Sequence, residues 1–420
     1  MFATPFKFLI ILLACVLSVH SYAQQSIDRK ALVDRHNVII TKADSLSSLS
    51  VGNGRFAFTV DITGLQSFPQ SYQNGVPLGT ESEWGWHSFM NTNGYKREEA
   101  LKNFHLNGRD ISYLVENKIP ARSKAASDWF RQNPHRLQLG NLGFEILKKD
   151  GTVAAIGDIE NCNQQLNLWT GEIKSRFTVE GIPVTVSTFC NQQQDVISAN
   201  VQSDLIKMGR LKVILLFPYP TGEWSDVGTN YAHTDKHLSS IQSSTSQGAS
   251  LIHQLDTTQY HVDFSYTHAT ISKRSLHHFV ITPAAANSFE FSCRFAQRPS
   301  SSVIPTYTAT KADNQSSWQQ FWTKGAAVDF SGSTDQRAFE LERRIILSQY
   351  LIKIQETGSN PPQETGLTYN SWYGKPHMEM PYWHLGHYPF WGHKELLEKT
   401  MDWYFRAEVK GRGIDRKSVV

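Results

Sequence analysis

Cysteine is scarce, with four in 420 residues, and one of them, Cys15, stands in an apolar N-terminal stretch. Without that stretch only Cys162, Cys190 and Cys293 remain. An odd set allows at most one bridge and excludes a disulfide framework as the source of stability. Charge is thin as well. Charged residues make up 19%, and 41 Lys plus Arg against 38 Asp plus Glu leave +3, with no long run of either sign. That excludes an electrostatic nucleic-acid binder. With 40% hydrophobic residues, it also excludes a disordered chain. Beyond the N-terminus no apolar run approaches the roughly 18 residues of a membrane span. Gly52-Asn53-Gly54 lacks the third glycine and the following helix of a dinucleotide fingerprint, so it is read as a turn before a strand. No nucleophile-elbow motif and no repeat of 20–50 residues is present.

What is there is aromatic-rich and long enough for two or three domains. Lys7, the apolar run that follows it and Ser21-Tyr22-Ala23 have the order of a secretory signal, with cleavage expected after Ala23. The alternative, a lipoprotein with Cys15 acylated, is disfavoured because Val16, Leu17 and Val19 stay apolar. Export predicts a periplasmic or secreted protein. From about 37 to 296 the period is two, as in Phe56, Phe58 and Val60, in Ile182, Val184 and Val186, and in Phe289, Phe291 and Phe295. Short alternating strands between Gly, Asn and Pro turns predict an antiparallel β-sandwich. His253, His261, His277 and His278 fall in this pattern and are read as surface or sheet residues.

After residue 300 the period becomes helical. Trp318, Phe321 and Trp322 predict a short helix after Thr310. Ser333 and Gln336 resemble a capping box that opens a helix running through Ile354. Further helices are expected near 381–391 and 394–405, the latter with a Glu395/Lys399 pair. The predicted domains are a signal peptide (1–23), a sandwich (24–300), a helical linker (301–332) and the first helices of a second, incomplete domain (333–410). Residues 411–420 read as a non-native tail, and the chain is expected to be a fragment.

Chemistry-bearing residues concentrate in one place. Trp372, Trp383, Trp391 and Trp403 fall within 32 positions, together with His377, His384, His387, His393, Lys375 and Glu379. Flat rings beside short polar groups suit a sugar pocket, where the rings cover the C–H face and the polar groups fix hydroxyls. A packed Trp-rich helix interface would carry the same composition. A metal site is disfavoured, because His384-Leu-Gly-His387 lacks the zincin glutamate and no Cys pair follows His377-Met-Glu379.

Residues 371–404, with Trp372-Tyr-Gly-Lys-Pro-His-Met-Glu379 and Tyr382-Trp-His-Leu-Gly-His-Tyr388, resemble the opening of the catalytic barrel in proteins similar to glycoside hydrolase family 65. Ser48–Phe58, Asn133–Phe144 and Leu168-Trp-Thr-Gly171 resemble their N-terminal sandwich. The resemblance implies a β-sandwich, a helical linker and the start of a six-hairpin (α/α) barrel. It implies inverting attack on an α-glycosidic bond, by water or by phosphate. It carries substrate binding to Trp372, Lys375, His377 and Glu379, then to Trp383, His384 and His387. It places the catalytic acid beyond Val420 and implies a carbohydrate partner, no metal and no cofactor. It allows a homodimer of the full-length parent. The better-known members have Phe-Trp-Asp where this chain has His377-Met-Glu379, so the sugar does not carry over. A non-catalytic carbohydrate-binding sandwich is the alternative reading.

Overall fold

The computed structural model describes residues 26–417. The expected signal segment, its cleavage point and Cys15 lie outside the described residues, as do the last three residues of the tail. Among the described residues, nine strands form one antiparallel sheet. Their spatial order is Val38–Ile40, Glu160–Asn167, Glu172–Val179, Ile182–Cys190, Val196–Gln202, Ser288–Ala296, Thr258–Tyr266, Gly248–Leu255 and His237–Thr245. A four-stranded sheet runs Ala269–Ser275, His278–Pro283, Leu211–Leu216 and Asn141–Ile146. Alternation gives these sheets an inner face. Along Gly248–Leu255 and Thr258–Tyr266 burial recurs at every second residue. Phe177, Val201, Leu251, Val262 and Phe279 join one core from both sheets. Each such side chain contributes about 1.5–3 kcal/mol by leaving water.

A third sheet, Leu49–Gly52, Phe56–Val60 and Thr80–Ser82, connects the sandwich to the helices. Its alternating sequence predicts one wet face, yet all five residues of Phe56–Val60 are buried. The helix Ala338–Glu356 packs against this sheet. Tyr350 Oη donates to the Ser50 carbonyl (3.0 Å), and the Gly54 N–H donates to the Ile354 carbonyl (2.9 Å). A Cβ at Gly52 would collide with that same carbonyl. The glycine turn is thus a docking surface for the helix as well as a turn.

The linker helix spans Tyr307–Thr323 and starts earlier than its aromatic pattern predicts. Thr306 Oγ1 accepts the Ala309 N–H (3.2 Å) and caps it. Trp322 Nε1 donates to the Leu168 carbonyl (2.7 Å), and Asn314 donates to the Thr170 carbonyl (2.5 Å). Gly171, at φ +64°, leaves no room for a Cβ beside Trp318. The Leu168–Gly171 turn is therefore the socket for this helix, and Trp318 stacks on Tyr350 at 4.6 Å to join the two helices.

Several helix boundaries depart from the sequence pattern. The capping box at Ser333 and Gln336 does not form. Ser333 Oγ accepts the Asp335 N–H in a turn, and the helix begins at Ala338 without a side-chain cap. The segment expected to be one helix near 381–391 is helical only over Met380–Leu385, then turns through Pro389 to Gly392 at φ +80°. The Glu395/Lys399 pair is also absent. Glu395 binds Lys324 (2.6 Å), and Lys399 donates to the Thr357 carbonyl (3.2 Å), so tertiary partners displace the helical one. The last helix, Lys394–Lys417, runs past the expected end near 405. Phe339, Trp383, Phe390 and Phe405 on the helical part are exposed. No described helix is long and apolar enough to cross a membrane. Cys162, Cys190 and Cys293 are free thiols.

Candidate functional site

The loop that leads into Met380–Leu385 turns on three successive left-handed residues, Trp372 (φ 51°), Tyr373 (φ 58°) and Gly374 (φ 71°). For bulky residues this conformation costs about 1–3 kcal/mol each. Surrounding bonds impose it. The Tyr373 N–H donates to the Trp224 carbonyl (3.0 Å), the Gly374 N–H to Ser371 (2.8 Å) and the Lys375 N–H to Trp372 (3.1 Å). Ser225 Oγ donates to the Asn370 carbonyl (2.7 Å), and the Trp224 ring meets Trp372 edge-on at 5.0 Å. Gly374 has no space for a Cβ beside Arg136.

So held, Trp372 and Tyr373 face a helix of the sandwich domain, Ala121–Gln132, across a cleft of about 320 Å³. Val115, Glu116, Phe130 and Arg131 form the far wall, with Arg131 ion-paired to Glu116. His377 closes the near side. Its ring lies tilted 5.1 Å from Trp372, and its Nδ1 is 3.7 Å from Glu364 Oε2. Lys375 also lines the cleft, but its ammonium is engaged. Nζ donates to the carbonyls of Phe130 (3.1 Å) and Arg131 at the end of Ala121–Gln132. Burial, with Arg131 acting in the same direction, lowers its pKa to about 8. This lysine ties the two walls together.

The other expected residues lie elsewhere. Glu379 and Trp383 are exposed and do not line the cleft; Trp383 pairs edge-on with exposed Tyr382 at 5.1 Å. His384 points inward. Its Nε2 donates to the Glu364 carbonyl (3.0 Å), which leaves Nδ1 as an acceptor 3.5 Å from Glu356 Oε2. His387 is half-buried beside Tyr388, with Nε2 unpartnered. Burial lowers the pKa of both histidines and keeps them neutral at pH 7. The structure thus brings Trp372, Lys375 and His377 together and separates them from Glu379 and Trp383.

Sequence reasoning missed the acidic groups beneath the loop. Burial raises the Glu356 carboxyl to about 8, so it is protonated at neutral pH. Burial also raises Glu81 to about 8 against the opposing charge of Arg136; Gln363 donates to its Oε2 (3.0 Å). Arg136 itself stacks over Trp86 at 4.0 Å, and burial lowers it to about 10. Glu356 is the last residue of Ala338–Glu356 and Glu81 sits in the short strand Thr80–Ser82, so neither is marked by spacing. Phe130 and Arg131 were likewise unmarked, because their helix lies within the β pattern.

A protein assigned as a kojibiose phosphorylase from the human microbiome matches with a TM-score of 0.55 at 12% identity, covering 85% of this chain and 47% of that one. A bacterial glucoamylase solved with acarbose matches with a TM-score of 0.45 at 10% identity, covering 90% of this chain and 54% of that one. The first likeness shows the fold. It is the arrangement of an N-terminal β-sandwich followed by barrel helices. The chain spans about half the length of these structures. No protein-family model and no curated protein sequence matches it.

Proposed function

We propose that this chain is the N-terminal part of an exported glycosidase that acts on α-linked oligo- or polysaccharides with inversion. The observation that carries the reading is the cleft between Trp372 and the Phe130–Arg131 wall. It combines aromatic faces, an imidazole and an Arg–Glu pair around a space of about 320 Å³. Stacking faces with a few polar groups suit a sugar ring. The strained Trp372–Tyr373 backbone supports a functional role, because such strain persists where function requires it. Fold alone would not support this reading, since one fold hosts many activities.

Inverting hydrolysis needs an acid and a base about 6.5–9.5 Å apart across the sugar. Neither group is assigned to a residue of this chain; on this reading both lie on barrel helices beyond Val420, in keeping with a chain that covers 47% of the kojibiose phosphorylase-like structure. The test has two arms. Tryptophan fluorescence of the 420-residue chain should titrate with α-linked gluco-oligosaccharides more strongly than with β-linked ones. Trp372→Ala should weaken that binding at least tenfold. The chain should not turn over aryl α-glycosides, whereas a version extended through the barrel should, with inversion seen by NMR. Phosphate dependence in the extended protein would assign phosphorolysis instead. Equal binding by Trp372→Ala would remove the cleft from the account.

A further inference from the structure

Trp224 is 42% exposed, although its loop connects two sandwich strands, Leu211–Leu216 and His237–Thr245. That loop is firmly held. Gln132, the last residue of the helix Ala121–Gln132, donates from Nε2 to the Gly222 carbonyl (2.7 Å). Asp226 accepts the N–H groups of Thr221 (2.7 Å) and Gly228 (2.9 Å), which closes the turn around the tryptophan. On the other side the Trp224 carbonyl accepts the Tyr373 N–H (3.0 Å), and Ser225 Oγ donates to the Asn370 carbonyl (2.7 Å). The loop therefore bridges the two walls of the cleft, the end of Ala121–Gln132 and the Trp372 turn.

Folding gains nothing from an indole face left in water. Exposed Trp383 and Phe390 differ, because they stand on the helical part, where the proposed barrel helices would cover them. Trp224 has one aromatic neighbour. Its ring centroid is 5.0 Å from that of Trp372, with the planes inclined by 64°. Such an edge-on contact leaves Trp224 at least one open face, in keeping with its exposure. Trp372 lines the cleft, whereas Trp224 stands just outside the lining. The indole N–H groups of Trp84, Trp86 and Trp322 each reach an acceptor, and that of Trp224 reaches none among the described residues. Thr221 and Glu223 are exposed on the same turn, so a hydroxyl and a carboxylate accompany the ring.

We infer, on the reading of that cleft as a sugar site, that Trp224 is a second stacking residue and that the substrate is an α-linked oligosaccharide with at least two rings held at once. One ring lies in the cleft against Trp372, and the next covers the open face of Trp224. A tryptophan offers a large, rigid, amphipathic contact at small entropic cost, with an N–H left for a hydroxyl. The bonds to Gln132, Tyr373 and Asn370 fix the ring's backbone before any ligand arrives, which lowers the cost of binding. Because the same loop touches both walls, the second position keeps a constant distance from the first. A single sugar uses only the cleft, so Trp224 acts on chain length.

Ligand-detected NMR titration of the 420-residue chain is the test, with methyl α-glucoside and with α-1,2-, α-1,4- and α-1,6-linked glucose di- and trisaccharides. Affinity of the wild type should rise about 3–10-fold from the monosaccharide to the disaccharide of the preferred linkage. Trp224→Ala should lose that increment and bind the monosaccharide as the wild type does. Trp372→Ala should weaken every ligand, the monosaccharide included. No increment in the wild type, or an equal one in Trp224→Ala, would overturn the second position and leave the cleft as a sugar site. A loss in Trp224→Ala that is the same for mono- and disaccharide would assign the indole to support of Trp372 and overturn it too. No binding of any of these sugars to the wild type would remove the sugar reading of the cleft and this position with it. If Trp224→Ala does not fold, Trp224→Leu decides, because it fills the contact with Trp372 but has no flat face. It should lose the increment, and a retained increment would overturn the position.

Discussion

Glu356 Oε2 and His384 Nδ1 stand 3.5 Å apart in the buried seam beneath the Trp372 loop, and neither atom has another hydrogen-bond partner. The Nε2–H of His384 is committed to the Glu364 carbonyl, so Nδ1 can only accept. A protonated Glu356 supplies the missing hydrogen. The two groups are a neutral acid beside a neutral imidazole, close enough for that hydrogen to bridge them.

That assignment fixes a pH dependence. The folded-state pKa of Glu356 is raised to about 8, above its ordinary value of 4.5. The folded chain therefore binds more protons than the unfolded chain between these values, and stability falls as pH rises from about 4.5 to about 8. Glu81 acts in the same window and direction. Glu356→Gln keeps a donor and cannot ionise. Urea unfolding at pH 5 and pH 8 should show a smaller loss for the variant than for the wild type. An identical loss would mean that Glu356 is ionised in the fold.

Lys375→Met should destabilise the chain by about 1–3 kcal/mol, because it strips a donor from partly buried carbonyls at the end of Ala121–Gln132. The urea midpoint should fall without a change in slope. Unchanged stability would free this ammonium for a ligand and restore the role read from the sequence.

Gly374→Ala tests the strained turn. The residue sits at φ +71°, and its Cβ would meet Arg136. A cost of about 1–3 kcal/mol follows from the backbone alone, with the Trp224–Trp372 contact loosened as well. Near-ultraviolet circular dichroism should report the altered indole packing. A variant as stable as the wild type, with the same spectrum, would show that the loop relaxes freely.

Hydrogen exchange should divide the chain. Phe56–Val60 is fully buried, whereas the helix Lys394–Lys417 leaves Phe405 exposed. Amides of the strand should exchange only on global unfolding, and those of the helix through far smaller openings. Equal protection would make the helical region complete in itself and end the fragment reading.

The sandwich strands were legible because burial at every second residue leaves its mark on composition, as in Thr258–Tyr266. The linker helix was legible because Trp318, Phe321 and Trp322 share one face. The rest depended on distant partners. Nothing near Lys375 announces a helix end 244 residues earlier in the chain. Phe56–Val60 alternates as a half-wet strand would, and it is the docked helix that keeps its second face dry. His253 and His277 look like sheet histidines until two different sheets bring both within hydrogen-bonding distance of Ser239. Glu356 and His384 are ordinary in sequence, and only the depth of the seam makes them neutral.

The contact from Tyr350 to Ser50 spans 300 residues. At a synthesis rate of about 5–20 residues per second, the strands Leu49–Gly52 and Phe56–Val60 precede the helix that covers them by roughly 15–60 s. Throughout that interval the face that carries Ser50, Gly52, Ala57 and Thr59 has no helix over it. A chain released before the helix is made therefore leaves these strands open on one side, and closure of the N-terminal ribbon reports the completion of a segment 300 residues away.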